Sequence, residues 1–416
     1  MGNSKFGVLC LSSDVGRLSI DQLDAEIRSS ITELGAAWLD EKEISFERPL
    51  FFFILTGGTE NKFLKLWQEN EDKLHKLPII LLAHSSHNSL PASLEILAKL
   101  QQENTKGKII FVDTENNKKW QDELQKSVKQ FDIYFQLRNT RIGLIGEPSD
   151  WLIASMPDSE TVKNMWGCEI KKINLDKLKS LIADITEEEI EDPIYSLTKK
   201  AQSIKEPSKK EIKDVAKVYS ALKKIIDEYK LNALTLRCFD LVTDLKTTGC
   251  FALSKLNDDG INAGCEGDIV SALGMIWANL ITDEVVWMAN PSHIDEQNNS
   301  LWLAHCTVPM SLVDNYKLRS HFESGLGVGI EGEISNGKIT LLRIGGKNLE
   351  HVWISNGEII ESGSSEVLCR TQVKVKLHGS AKVTDLLRKP LGNHILMVRG
   401  SYAKELNEWW EIFFNN

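Results

Sequence analysis

Pro49-Leu50-Phe51-Phe52-Phe53-Ile54-Leu55-Thr56-Gly57-Gly58-Thr59-Glu60 decides the fold class. The apolar run 49–55 is far shorter than the ~20 residues a membrane span needs, and a Gly-Gly turn ends it. It reads as a strand buried on both faces. Working outward, Gly7–Leu11, Ile79–Ala83 and Ile109–Val112 are further short apolar runs. The stretches Asp21–Leu39, Phe63–Leu74 and Ala92–Gln102 between them are helix-like. Strands alternating with helices are the pattern of βαβ units around a parallel sheet. In that architecture Thr56–Glu60 and His84-Ser85-Ser86-His87-Asn88-Ser89, which follow strands, fall on the ligand side.

A second α/β round opens at Arg141 with the run Ile142–Ile145 and the turn Gly146-Glu147-Pro148-Ser149. The Lys/Glu-rich stretch 187–227 suits exposed helices, with Pro193 and Pro207 as breakers. From Val308 onward glycines punctuate short alternating runs such as Ile339–Ile344 and Val352–Ile354, which predicts antiparallel strands. Tyr402–Phe414, with Trp409, Trp410, Phe413 and Phe414, reads as a closing helix. The fold expected is α/β: two doubly wound parallel-sheet domains, 1–140 and 141–307, followed by a β-rich C-terminal domain, 308–416. The central domain is expected to carry most of the site.

A chain of 416 residues exceeds what one core usually supports. Its net charge of -10 opposes a polyphosphate, and no basic run is interleaved with aromatics, so nucleic acid is not expected as a partner. No membrane segment is expected. Met1-Gly2-Asn3-Ser4-Lys5-Phe6 has no signal-peptide apolar core, and the seven cysteines form no C-x-x-C pair. Reduced thiols in the cytoplasm are the expectation.

The residues suited to chemistry cluster late. Glu266, in Gly264-Cys265-Glu266-Gly267-Asp268, sits where a Gly-rich turn enters a helix-like run; Asn290 and His305 lie at the ends of strand-like runs. A carboxylate with imidazoles suits Mn²⁺, Mg²⁺ or Co²⁺ if they meet in space. Taken singly, Glu266 is equally a helix-capping acid. Arg237 and Asp240 either face the pocket, where Arg would receive an anionic sugar substituent, or form a structural ion pair. Gly325-Leu326-Gly327-Val328-Gly329 opens no helix, which excludes a nicotinamide fingerprint.

Gly264–Asp268, Trp287-Met288-Ala289-Asn290, Leu303-Ala304-His305-Cys306 and Gly392-Asn393-His394 together resemble the L-fucose and L-arabinose isomerase family, in particular its shorter fucose-isomerase-like members. Leu82–His84, Asn88–Ala92 and Ile145–Ser155 extend the likeness over most of the chain. The resemblance implies interconversion of an aldose and a ketose on a divalent metal, Mn²⁺ or else Mg²⁺ or Co²⁺, through a cis-enediol. By motif, Glu266, His305 and His394 are implied metal ligands, with Asn290 at the place of a second acidic ligand. Asparagine can offer a metal its carbonyl oxygen but accepts no proton near neutral pH. Glu266, Asn290 and Asp268 are therefore the expected catalytic set, Asp268 (or Asp295 or Glu296) supplying the missing base. Arg237, Asp240, His84, Asn88 and Glu147 are the expected substrate contacts. A homo-oligomer, trimer or hexamer, with active sites shared between subunits is also implied. The alternatives are an isomerase of a sulfonated, phosphorylated or carboxylated hexose, and a non-catalytic sugar-binding protein on the same scaffold.

Overall fold

The apolar run Leu50–Ile54 is the central strand of a parallel sheet in the computed structural model, which describes residues 5–14, 21, 23, 25–74 and 77–414. Strands β1 (Phe6–Leu11), β2 (Ala36–Leu39), β3 (Leu50–Ile54), β4 (Ile79–Ala83) and β5 (Gly107–Phe111) are ordered β2-β1-β3-β4-β5, all parallel. Every residue of β3 and β4 is buried, as a strand covered on both faces requires. The order reverses between β1 and β3, so the sheet is doubly wound. Residues 1–136 and 408–416 form this compact unit, and residues 137–407 form a second. Within the first, Trp409 is buried and its indole N–H donates to the Gln130 carbonyl (3.0 Å).

The second unit begins with another parallel sheet. Strands β6 (Arg141–Ile145), β7 (Glu169–Ile173), β8 (Ala201–Ile204), β9 (Ala233–Leu236) and β10 (Asn262–Cys265) follow in sequence, and four of them are ordered β10-β9-β6-β7. The winding reverses between β6 and β9, which brings the carboxyl ends of β6, β9 and β10 together. Then come β11 (Trp287–Asp295), β12 (Ser300–His305), β13 (Asn315–Arg319), β14 (Gly329–Glu333), β15 (Gly337–Gly345), β16 (His351–Gly363), β17 (Thr371–Leu377) and β18 (Ile395–Arg399). Six of these close an antiparallel barrel, β11-β12-β17-β16-β15-β18, while β14, β13 and β8 make a small separate sheet.

Alternate barrel residues, among them Trp287 and Ala289, Leu301 and Leu303, Ile339 and Leu341, Val373 and Val375, and Ile395 and Met397, belong to one hydrophobic cluster. The segments 287–295 and 300–305, expected in the central α/β domain, are barrel strands. Their short apolar runs satisfy a parallel or an antiparallel neighbour equally well, and β17 and β18 supply the antiparallel one. Pro193 does not break a helix. It lies in the first turn of the helix Glu191–Thr198, where no intrahelical N–H bond is lost.

The helix Ile269–Thr282 is apolar nearly all round because it packs against β9 and β10 on one side and β15 and β18 on the other. It holds the parallel sheet to the barrel.

Candidate metal centre

Glu266 leaves the end of β10 in a left-handed conformation (φ 64°), followed by Gly267 (φ 73°). A side chain on Gly267 would place its Cβ 2.7 Å from Pro148 Cα and 2.9 Å from the Glu147 carbonyl oxygen, so only glycine fits. The turn is pinned by Ser149 N–H donating to the Glu266 carbonyl (2.8 Å) and Gly267 N–H donating to the Leu236 carbonyl (3.1 Å). Asp268 then caps the helix, accepting from Ser271 N–H (2.8 Å). His305 ends β12, and His394 immediately precedes β18, so both imidazoles come from the barrel and the carboxylate from the parallel sheet.

One ligand atom from each of Glu266, His305 and His394 lies within 4.8 Å of the others. All three residues are buried, and the two imidazole rings are 5.8 Å apart, edge to face. His394 Nδ1 is 2.8 Å from Asp268 Oδ2, while its Nε2 has no hydrogen-bond partner and faces Glu266 Oε2 at 3.7 Å. That separation is beyond a hydrogen bond. It is close to the roughly 3–3.5 Å between adjacent donors on an ion with ~2.1 Å ligand bonds. With Nδ1–H donated to Asp268, the lone pair on Nε2 is left for a cation, the arrangement in which a carboxylate fixes a ligating histidine's tautomer. The residues present therefore fit a divalent ion: one hard carboxylate and two imidazoles.

In the metal-free chain the pKa shifts follow from burial and the neighbouring charges. Burial raises the pKa of Glu266, but His394, the Trp151 N–H and His305 outweigh it, so the carboxyl lies below its usual range. For Asp268 burial is again opposed, by Arg343, His394 and Ser271, and the net shift is strongly downward. Burial lowers the pKa of His394, yet Asp268 and Glu266 together raise it above the ordinary value. His305 is pulled down to about 4 by burial and by His394, so it is neutral and ready to ligate at neutral pH.

Behind the centre stands Arg343 on β15, 2% exposed. Its guanidinium donates to Ser271 Oγ (2.5 Å), Ser155 Oγ (2.6 Å) and Asp268 Oδ2 (3.2 Å). Gly392 makes room for it, since a Cβ there would fall 2.3 Å from Arg343 Nη2. The charge of Asp268 is thus compensated, and its lone pairs are committed to Ser271, Arg343 and His394.

A cavity of about 480 Å³ opens in front, lined by Glu266, Asn290, His305, Trp151, Phe239 and Glu323 among others. Asn290 lies within β11, opposite Ala304, and is half-buried. Asp268 is not a wall residue of this cavity: it is wholly buried behind His394, so its geometry suits holding that ring, not exchanging protons with a ligand. Arg237 also stands apart. Its guanidinium donates to Asp240 (2.9 Å), the Pro148 carbonyl (2.6 Å) and Asp150 (3.3 Å). With Glu147, Asp240 and Lys172 it lines a separate hollow of about 500 Å³ at the ends of β6, β7 and β9.

His84 and Asn88 lie in the first unit. His84 is buried, with Nε2 3.0 Å from the Leu55 carbonyl and Nδ1 2.9 Å from Ser86 Oγ. Asn88 is exposed and left-handed (φ 56°) at the start of the helix Ser89–Gln102.

Two members of the site carried no role in the sequence reading. Trp151 donates its indole N–H to Glu266 Oε2 (2.6 Å), and Arg343 compensates Asp268. Trp151 lay in a motif already singled out; nothing local marks Arg343, which is one arginine in an alternating strand.

Residues 157–282 match the family model described as the L-arabinose isomerase central domain. The chain is 23% identical over 300 residues to the sulfoquinovose isomerase of Alkalicoccus urumqiensis, spanning 70% of this chain and 68% of that protein. It is 21% identical over 300 residues to that of Priestia aryabhattai (70% and 67%). It is also 25% identical over 177 residues to that of a Clostridium species (42% and 39%).

Proposed function

We propose that this chain, which matches the L-arabinose isomerase central-domain model over residues 157–282 and is similar to sulfoquinovose isomerases, is a divalent-metal-dependent aldose–ketose isomerase acting on a monosaccharide through a cis-enediol. The observation that carries this is the convergence of Glu266, His305 and His394, with a buried, unpartnered His394 Nε2, beside a cavity whose wall includes Glu266 and His305. The bound ion, Mn²⁺ or a similar divalent cation, would polarise the substrate carbonyl and neighbouring hydroxyl and offset developing negative charge.

The chain's own groups do the rest. Glu266, ionised at neutral pH, is the carboxylate at hand to take a proton from the carbon next to the carbonyl and return it to its neighbour. The Trp151 N–H fixes Oε2 of that carboxylate. Asn290, at the place of a second acid, can orient a hydroxyl through its amide but moves no proton. Asp268 and Arg343 hold the His394 ring, and Phe239 and Trp151 give the sugar an apolar wall.

The names of the relatives favour a sulfonated hexose as one substrate. The described residues lining the cavity include no Lys or Arg, and Arg237 is committed to Asp150 and Asp240, so a neutral hexose is the first candidate on geometry. Incubation in D₂O with a metal-loaded protein and a panel of neutral and sulfonated sugars tests the reading. Deuterium should enter C1 or C2 of the processed sugar, and Glu266→Gln should abolish the exchange while the chain stays folded. No exchange with any sugar, or an undiminished rate in the variant, overturns it. The proposal extends to a homo-oligomer, for which sedimentation is the check.

A further inference from the structure

We propose that Cys238 and Cys265 form an oxidisable dithiol in the floor of the cavity, closing to a disulfide under a two-electron oxidant of the peroxide class. Five of the chain's seven cysteines, Cys238, Cys250, Cys265, Cys306 and Cys369, line this single cavity, although they lie far apart in sequence. All are free thiols. A buried cysteine is ordinarily a small packing residue, but five on one ligand-accessible wall expose sulfur to whatever enters.

Within the group Cys306 neighbours Cys250 and Cys369, while Cys238 and Cys265 form a separate pair in direct Sγ contact. Cys265 is the last residue of β10 and the register partner of Leu236, the last residue of β9, and Cys238 lies two positions beyond Leu236, where its Sγ is 2.9 Å from that of Cys265. A disulfide needs ~2.05 Å, a closure of about 0.9 Å that a small side-chain rotation on each residue can supply. The backbone is firm on both sides: Cys238 opens the helix Cys238–Leu245, and the Cys265 carbonyl accepts from Thr235 Oγ1 (3.2 Å) and Asp268 N–H (3.1 Å).

The chemistry balances without a group the protein lacks. One thiol attacks peroxide, its S–H and the O–O bond break, and a sulfenic acid and water form. The second thiol displaces hydroxide from that sulfur as water, leaving the S–S bond. Two electrons pass from sulfur to one peroxide, and two waters are released.

The test uses the whole chain treated with hydrogen peroxide, quenched, unfolded and titrated for free thiols, with the intact mass recorded in parallel. Seven thiols should fall to five with a loss of two mass units, reversed by dithiothreitol. Cys238→Ser, which starts with six, should keep all six under the same exposure. No loss of thiols in the parent chain overturns the proposal. So does a two-thiol loss that persists in Cys238→Ser, which would assign the reaction to Cys250, Cys306 or Cys369. Neither readout depends on isomerase activity, so the dithiol and the isomerase reading stand or fall separately.

Discussion

Replacing Asp268 by Asn tests whether the metal centre depends on a group that never touches the ion. In the native chain Asp268 Oδ2 accepts from His394 Nδ1 (2.8 Å), Ser271 Oγ (2.7 Å) and Arg343 Nη1 (3.2 Å), which leaves Nε2 free of a hydrogen-bond partner. An amide NH₂ in that position donates toward Nδ1 and favours the opposite tautomer, with the proton on Nε2 where the cation should bind. Loss of such an outer carboxylate typically costs 10–100-fold in metal affinity, or about 1.4–2.7 kcal/mol. A second effect runs in parallel: Arg343, 2% exposed, loses its charge partner, and breaking a buried pair costs on the order of 3–5 kcal/mol of stability. The two are separable. Calorimetric Co²⁺ titration reads the first, urea unfolding of the metal-free chain reads the second, and Arg343→Met added to Asp268→Asn should recover stability without recovering affinity. Metal binding by Asp268→Asn within twofold of the parent would refute the argument that this carboxylate sets the tautomer.

Trp151→Phe removes the 2.6 Å N–H bond to Glu266 Oε2; since Trp151 is 51% exposed, a loss of about 1–1.5 kcal/mol, roughly tenfold in kcat/KM, is expected from steady-state kinetics. Gly267→Ala forces a Cβ against Pro148 and a positive φ on alanine, which should destabilise the chain by at least about 2 kcal/mol in urea unfolding; an unchanged midpoint contradicts the close approach. His305 is a base whose folded pKa, about 4, lies below its unfolded value, so the unfolded chain binds the extra proton. The His305 contribution should therefore cost the metal-free protein stability as pH falls from about 6.5 to 4, by about 3 kcal/mol at most, whereas His394, whose pKa is raised, contributes stability that is lost as pH rises through its folded pKa. His305→Gln should flatten that part of the profile, and an identical slope in both proteins would remove His305 as its source.

The parallel sheets were legible because their strands are unbroken apolar runs ended by turn residues: β3 and β4 can be nothing but buried on both faces. The barrel was legible only in part. The glycine-punctuated texture after Val308 announces antiparallel strands, yet β11 and β12 carry apolar runs that do not say which sheet receives them, and register with β17 and β18 is a long-range choice. Glu266, His305 and His394 stood out as metal-ligand types, but their meeting depends on the packing of Ile269–Thr282 between sheet and barrel. Asp268 shows the limit most clearly. An aspartate two residues after a candidate ligand looks like a spare base, and only the burial of Arg343 and the orientation of His394 turn it into a support. The sequence leaves Arg237 open between a pocket residue and a structural ion pair, and its bonds to Asp150 and Asp240 occupy the guanidinium.

The barrel is sealed by its last strand: β18 bridges β11 and β15, and His394 is the residue just before it. During refolding, all of the chain up to Gly392 can acquire its native pairing and still offer a cation only Glu266 and His305. Truncation ahead of Ile395 would leave β11 and β15 as two bare edges, open to pairing with another chain. At the proposed metal site, uptake of an ion would wait on completion of the barrel, and a spectroscopically visible metal such as Co²⁺ would report the final docking event and none of the earlier ones.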